Sequence, residues 1–264
     1  MLSEAAIRLS AFIGIFAVMA LWEVRAPMRR LVVPRLGRWG TNWGVSAIDA
    51  VMVKLLFGAA AVGAAMDAEA SGWGLLNALD WPLWLEVVLA FVVFDFAIWL
   101  QHLASHHIPL LWRLHRVHHA DRDIDVTTAI RFHPFEIALS MLFKIALVYA
   151  LGAPALAVVL FEVVLNGAAM FNHANVRIPE RIDRVLRRVV VTPDMHRVHH
   201  SIQRVEHDSN FGFNLSIWDR LFGTYTDQPE GGHTAMTIGL GELQDARPTR
   251  LGFTLTLPFR PTGR

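Results

Sequence analysis

The chain has 264 residues, is 54% hydrophobic and 18% charged, and carries a formal net charge of +1. Its charged share lies below the roughly 25% of a typical soluble domain, and near-neutrality gives no basis for nucleic-acid binding. The absence of cysteine excludes disulfides, thiolate zinc sites and cysteine-ligated iron–sulfur clusters, while thirteen histidines are a marked excess.

The length suits one domain, and its apolar runs come in an order that suggests membrane spans. Residues 7–22 form the first run. Its short core resembles a signal-peptide centre, but no A-x-A-like cleavage site follows before Arg25, so it reads as an uncleaved span. Arg25, Arg29, Arg30, Arg35 and Arg38 crowd the next loop. Residues 44–66 are a second run, interrupted by Asp49 and Lys54. An acidic loop is expected at 67–81, then a third run at 83–101. Residues 135–151 and 155–171 are two further runs, separated only by Gly152, Ala153 and Pro154, which suggests a helical hairpin. Such lengths approach what a hydrocarbon core of about 30 Å requires, and some are short enough to be tilted or re-entrant. Basic loops stay cytoplasmic, so the arginine loop is expected inside and loop 67–81 outside. Arg177, Arg181, Arg184, Arg187 and Arg188 then also fall inside. Residues 178–191 space Ile178, Ile182, Val185, Leu186 and Val189 as an amphipathic helix, either solvated or lying in the membrane interface. Beyond Tyr225 the chain reads as a peripheral tail, with a short strand expected at 254–257.

The same topology delivers the histidines to one face. The third run leads into His102 and His106. The string HRVHH follows with His115, His118 and His119, and recurs unchanged with His196, His199 and His200. Spacings of three and four put side chains on one side of a helix, so each string is expected to present its imidazoles in one direction. Neutral imidazole is the commonest transition-metal ligand. His173, at the end of the fifth run, joins the same side as a ninth candidate. Nine imidazoles suffice for two metals with four or five nitrogens each. Fe, Zn, Cu and Ni all accept such ligands. A structural zinc needs only four and usually takes cysteine, so two metals at a membrane surface suggest redox work on O2. Other metal motifs fit poorly. The only Glu-x-x-His is Glu230 to His233, within a glycine turn, and no H-E-x-x-H occurs. A bis-histidine haem would need two opposed rings rather than clusters. In a helical register His107 points about 100° away from His106, outside the site, unless Pro109 ends the helix early.

The series H-x-x-x-H (102–106), H-x-x-H-H (115–119) and H-x-x-H-H (196–200) resembles the fatty acid hydroxylase/sterol desaturase superfamily. Leu111-Trp112-Arg113, Arg131-x-His133-Pro134-x-Glu136, Asn172-His173-x-Asn175-Val176, Thr192-Pro193, Asn210-Phe211-Gly212 and Trp218 to Tyr225 add to the resemblance, which covers about half the chain. The R-x-H-P-x-E string is most similar to the alkylglycerol monooxygenase branch. The resemblance implies two Fe ions held by the nine histidines, O2 as co-substrate and a membrane lipid hydroxylated at a C–H bond, with desaturation as the nearest variant. It also implies a separate electron donor, a reductase, ferredoxin or cytochrome. Asp95 and Asn166 each precede a histidine by seven residues, two turns on the same face. Each either orients an imidazole or ties two spans together. Asn210 either closes the site through water or shapes a turn. His133 and Glu136 either contact a headgroup or cap a helix. A different class, a membrane metal-binding or transport protein, would need ionisable residues along a path through the spans.

The expected architecture is an all-α integral membrane protein. Four to five transmembrane helices would carry a cytoplasmic helical cap holding a His-rich dimetal site. Residues 1–82 would supply N-terminal membrane helices, 83–225 the catalytic domain and 226–264 the peripheral tail.

Overall fold

A computed structural model describes residues 4–261 of the chain. Among them there are no strands, only isolated bridges such as Val190 with Leu215. Twelve α-helices run in order: α1 (Glu4–Arg25), α2 (Arg35–Phe57), α3 (Ala60–Ser71), α4 (Leu83–His107), α5 (Pro109–His119), α6 (Pro134–Leu151), α7 (Ala155–Asn172), α8 (Glu180–Leu186), α9 (Pro193–His199), α10 (Arg204–His207), α11 (Ile217–Leu221) and α12 (Leu251–Thr256).

Among the described residues, five segments are long and apolar enough to cross a membrane: Ala6–Arg25, Arg35–Ala78, Leu83–His107, Pro134–Leu151 and Ala155–Asn172. Their outer faces carry bare apolar side chains, among them Leu9, Leu55, Val88 and Leu142. A water-soluble domain would bury such rows, whereas lipid solvates them. The inner faces of the last four meet in a core of Ala61, Ala65, Phe94, Val148, Ala157 and Phe161, while the first packs Phe12, Ile15 and Phe16 against Ala169 and Met170.

The second span is not one continuous helix over 44–66. It starts at Arg35 and breaks after Phe57, where Gly58 takes φ +56 and Ala60 φ +51, before α3 continues to Ser71. Glycine enters this left-handed region without the steric cost of a side chain. Asp67 and Glu69 therefore lie in α3 rather than in a loop. At this end Leu75 N donates to Ala150 O at 3.2 Å, joining the loop before α4 to the α6–α7 hairpin.

The opposite end carries the cap, which is tied to α1 and α2 by buried charge. Arg38, 1% exposed, donates to Asp121 Oδ1 at 2.6 Å and to Asp125 Oδ2 at 2.6 Å. Glu23 Oε1 accepts from Val126 N at 2.7 Å and Asn175 N at 2.8 Å. The stretch after Tyr225, expected at the periphery, packs into the cap. Leu240, Leu243 and Leu257 form a core with Trp112, Val117 and Ala120. Arg116 reaches the carbonyls of Leu257 and Arg260 at 2.5 and 2.7 Å. The strand expected at 254–257 is instead the end of α12 and a 3-10 turn. Thr254 Oγ1 donates to Arg250 O at 3.1 Å, a back-bond that a helix offers and a lone strand cannot.

Candidate metal centre

The nine motif histidines converge from four helices. α4 runs unbroken to His107, holding His102 and His106 on its buried side and leaving His107 exposed. Ile108 is extended ahead of Pro109, so the chain turns there and α5 returns His115, His118 and His119. α7 ends at Asn172 and delivers His173. Thr192 caps α9, accepting from Met195 N at 3.4 Å, and Pro193 takes its first position, which aims His196, His199 and His200 at the others.

Two groups result. His102, His106, His115, His119 and His199 place one ring nitrogen each within 4.8 Å of one another, and so do His118, His173, His196 and His200. The HRVHH strings therefore do not each face one way; each divides between the groups. In α5 the first and last histidines join the five-membered group and His118 the other. At α9 His196, and His200 just past its end, join the four-membered group and His199 the other. In a helix, residues i+3 and i+4 lie about 100° apart, on opposite sides of residue i, so one string can serve two ions.

Hydrogen bonding shows what the rings can hold. A carbonyl oxygen only accepts, so a ring nitrogen bonded to one carries the proton and the other is bare. His118 Nδ1 donates to Arg131 O at 3.2 Å and His173 Nδ1 to Ala169 O at 2.7 Å. Their Nε2 atoms then face each other at 3.1 Å, lone pair to lone pair. In the other group His102 Nδ1 donates to Phe211 O at 2.8 Å, and His115 Nδ1 lies 2.6 Å from Glu136 Oε1. Their Nε2 atoms are 3.1 Å apart. His199 Nδ1 donates to Ser209 O at 2.7 Å, leaving Nε2 bare and unpartnered. Burial pushes His115 down to about 3 and His173 to about 4, so these rings take no second proton at neutral pH. Opposed bare nitrogens repel unless a cation lies among them. The donor set is all imidazole, which suits a transition metal.

The family model for fatty acid hydroxylase matches residues 87–224, more than half of the chain. The chain belongs to the fatty acid hydroxylase family. It is 35% identical over 163 residues to ornithine lipid hydroxylase OlsE of Rhizobium tropici, covering 60% of this chain and 47% of that protein. It is 27% identical over 146 residues to alkylglycerol monooxygenase of Homo sapiens, covering 53% and 31%. To fatty acid hydroxylase vlmA of Lecanicillium sp it is 29% identical over 178 residues, covering 59% and 46%. The chain thus spans between about a third and a half of these relatives. No solved structure matches it.

In this fatty acid hydroxylase family member the polar residues singled out beside the histidines have diverse partners. Glu136 touches the metal-ligand candidate His115 directly. Asp95 does not reach His102; its Oδ2 accepts from Trp218 Nε1 at 2.8 Å and Leu215 N at 3.3 Å, tying α4 to α11. Asn166 donates to Glu162 O at 2.7 Å, one turn back in α7. Asn210, at φ +53, donates to Met195 O and Thr226 O at 2.9 and 2.8 Å and shapes the turn that presents Phe211 O to His102. His133 caps α6, accepting from Phe135 N at 3.2 Å.

Three further residues support the centre. Asp208 Oδ1 lies 3.3 Å from His106 Nδ1. The His207 ring centroid is 4.3 Å from that of His119, within the same shell. Asp219 accepts from Phe211 N and Gly212 N, each at 2.8 Å, and from Trp99 Nε1 at 3.0 Å, fixing the loop that holds His102. The E-H-D string at 206–208, just before Asn210, was the available sequence signal for the first two.

Proposed function

We propose that this protein is an O2-dependent di-iron membrane oxygenase that hydroxylates a C–H bond of a lipid. The observation that carries the reading is the pair of buried histidine groups whose ring nitrogens converge, five in one and four in the other, with Nε2 proton-free where a carbonyl holds Nδ1, at His102, His118, His173 and His199. Each group has ligands enough for one ion. The names of the relatives, an ornithine lipid hydroxylase and alkylglycerol monooxygenases, support a lipid substrate and monooxygenase chemistry. When bound, two irons supply the reduction of O2 and the oxidation of the substrate. Overall, lipid–H, O2, two electrons and two protons give lipid–OH and water. The electrons come from a separate carrier protein.

The chain's own part is binding, orientation and exclusion of water. Glu136, Asp208 and the carbonyls of Phe211, Arg131, Ala169 and Ser209 fix ring tautomers and directions. His102, His115 and Glu136 line a cavity of about 560 Å3 that runs between the spans. Phe132 and Phe213 give it apolar walls beside the histidines, which hold hydrocarbon and keep water out. Residues 83–225 act as the catalytic unit and 226–264 as its brace. The histidines face the cytoplasm, a reading supported by the basic loop after α1 lying at the same end as the cap.

Metal analysis of the purified full chain, with lipid extracts of expressing cells grown with and without O2, tests this. The expected result is about two irons per chain and a lipid that gains one oxygen atom only under O2. One tightly bound zinc without iron would refute it, and a change confined to double bonds would make the reaction desaturation. Single-cysteine labelling at Ser71 in this cysteine-free chain tests the orientation; labelling from the cytoplasmic side would reverse it.

A further inference from the structure

The cavity beside the histidines has charge in its far wall. It reaches from His102 and His115, past Ile98, Ile137 and Met141, to Lys144, Arg8 and Lys54. Lys144 stands ten residues into α6 from Pro134, about 15 Å along the helix. Its Nζ donates to Glu162 Oε1 at 2.7 Å, and Arg8 Nη2 lies 2.7 Å from Glu162 Oε2. The two cations line the cavity while the carboxylate they share does not. Asp49 and Glu136 are the carboxylates in the lining, and Glu136 is engaged by His115.

Ionisable groups inside spans are costly and commonly mark a substrate path. Stability alone explains this triad poorly, because a buried ion pair seldom outperforms an apolar replacement of equal shape. A pure hydrocarbon would lie against the two cations in the lining without matching their charge, since the carboxylate they share stands outside it. An amphiphile with an anionic end would match both parts of the wall.

Resting on the oxygenase reading above for the word substrate, we infer that Lys144 and Arg8 anchor the anionic head of the substrate, a carboxylate or a phosphate. Its hydrocarbon then runs along the apolar wall to His102 and His115. The carbon that is oxidised is therefore remote from the head.

Binding of probes to the full, metal-loaded chain without reductant tests this, since no turnover occurs. Palmitic acid, methyl palmitate and hexadecyl phosphate compete against a fluorescent polyene fatty acid. The acid or the phosphate should displace it at concentrations at least about ten-fold below the ester, and the stronger of the two identifies the head. Lys144→Met should abolish that preference while leaving ester binding, Lys144→Arg should keep it, and Glu162→Gln should keep or strengthen it by removing the competing carboxylate. A purely structural triad predicts that Lys144→Met and Glu162→Gln weaken all three ligands together. That result, or equal displacement by acid and ester in the unmodified protein, overturns the inference. Should Lys144→Met fail to fold, Lys144→Arg and the unmodified acid-to-ester ratio still decide. Failure here leaves the oxygenase reading standing, and absence of iron with the preference intact would sink only that reading.

Discussion

Replacing His199 and His200, neighbours in one string, should have unequal effects. His199 belongs to a group of five and His200 to a group of four. Its loss leaves His199's group with four imidazoles, still a full set for a four-coordinate ion. Loss of His200 leaves three. The His200 Nε2 stands 3.3 Å from His196 Nε2, and its ring centroid is 4.8 Å from that of His118 and 5.2 Å from that of His173, so no other imidazole of that group can take its corner. His200→Ala should therefore fall from about two ions per chain to about one, while His199→Ala keeps about two, one of them more easily chelated. The groups cross between strings, so His118→Ala should behave like His200→Ala, and His119→Ala like His199→Ala. Elemental analysis after passage over a chelating resin, with circular dichroism as a control for folding, reads this out. Variants that sort by string, with His118 matching His119 and His199 matching His200, would refute the division of ligands.

Glu136→Leu removes the acceptor for His115 and should weaken metal affinity about 10–100-fold, whereas Asp95→Asn should leave metal content intact and destabilise by about 1–3 kcal/mol, measured by metal titration and thermal melting; metal loss in both would place Asp95 at the centre after all. His107→Ala should retain metal and activity because its ring is exposed, with Nδ1 at 2.9 Å from Leu103 O, while His106→Ala takes one imidazole from the group of five and should, like His199→Ala, make one ion more easily chelated; metal contents of the two purified variants after passage over a chelating resin check this. Acidification should destabilise the metal-free protein. His115 and His173 titrate at about 3 and about 4 when folded, against an ordinary 6.5, so below pH 6.5 the unfolded chain takes up protons that the folded chain refuses. Tm should be insensitive to these groups above pH 6.5 and drop as pH falls toward 4; a Tm rising over that window would contradict the burial of neutral rings.

Much of the site was legible from spacing. H-x-x-x-H and the repeated H-x-x-H-H name the residues that meet, because helical phase alone puts them on buried faces. The apolar runs likewise mark the spans, since backbone groups in lipid must be satisfied within a helix. The same phase placed His107 outside, and Pro109 turned the chain only after it. Spacing did not show that each string is divided, although the 100° between its adjacent histidines implies divergence. That division needs a second string facing the first.

Other features depend on contacts remote in sequence. Asp95 and Asn166 share their histidines' helical face, yet their partners lie on α11 and one turn back in α7, so a shared face did not produce contact. Glu136 meets His115 only because α5 and α6 pack at the cap. Thr254 lies in a stretch with strand-like composition, but docking against Arg131 and α2 makes it helical. The residues and their local geometry were thus written in the sequence. Which nitrogen is bare, and which imidazoles meet in one group, were decided by tertiary structure, because hydrogen bonds to Arg131, Phe211 and Ser209 set tautomers from elements that local sequence does not couple.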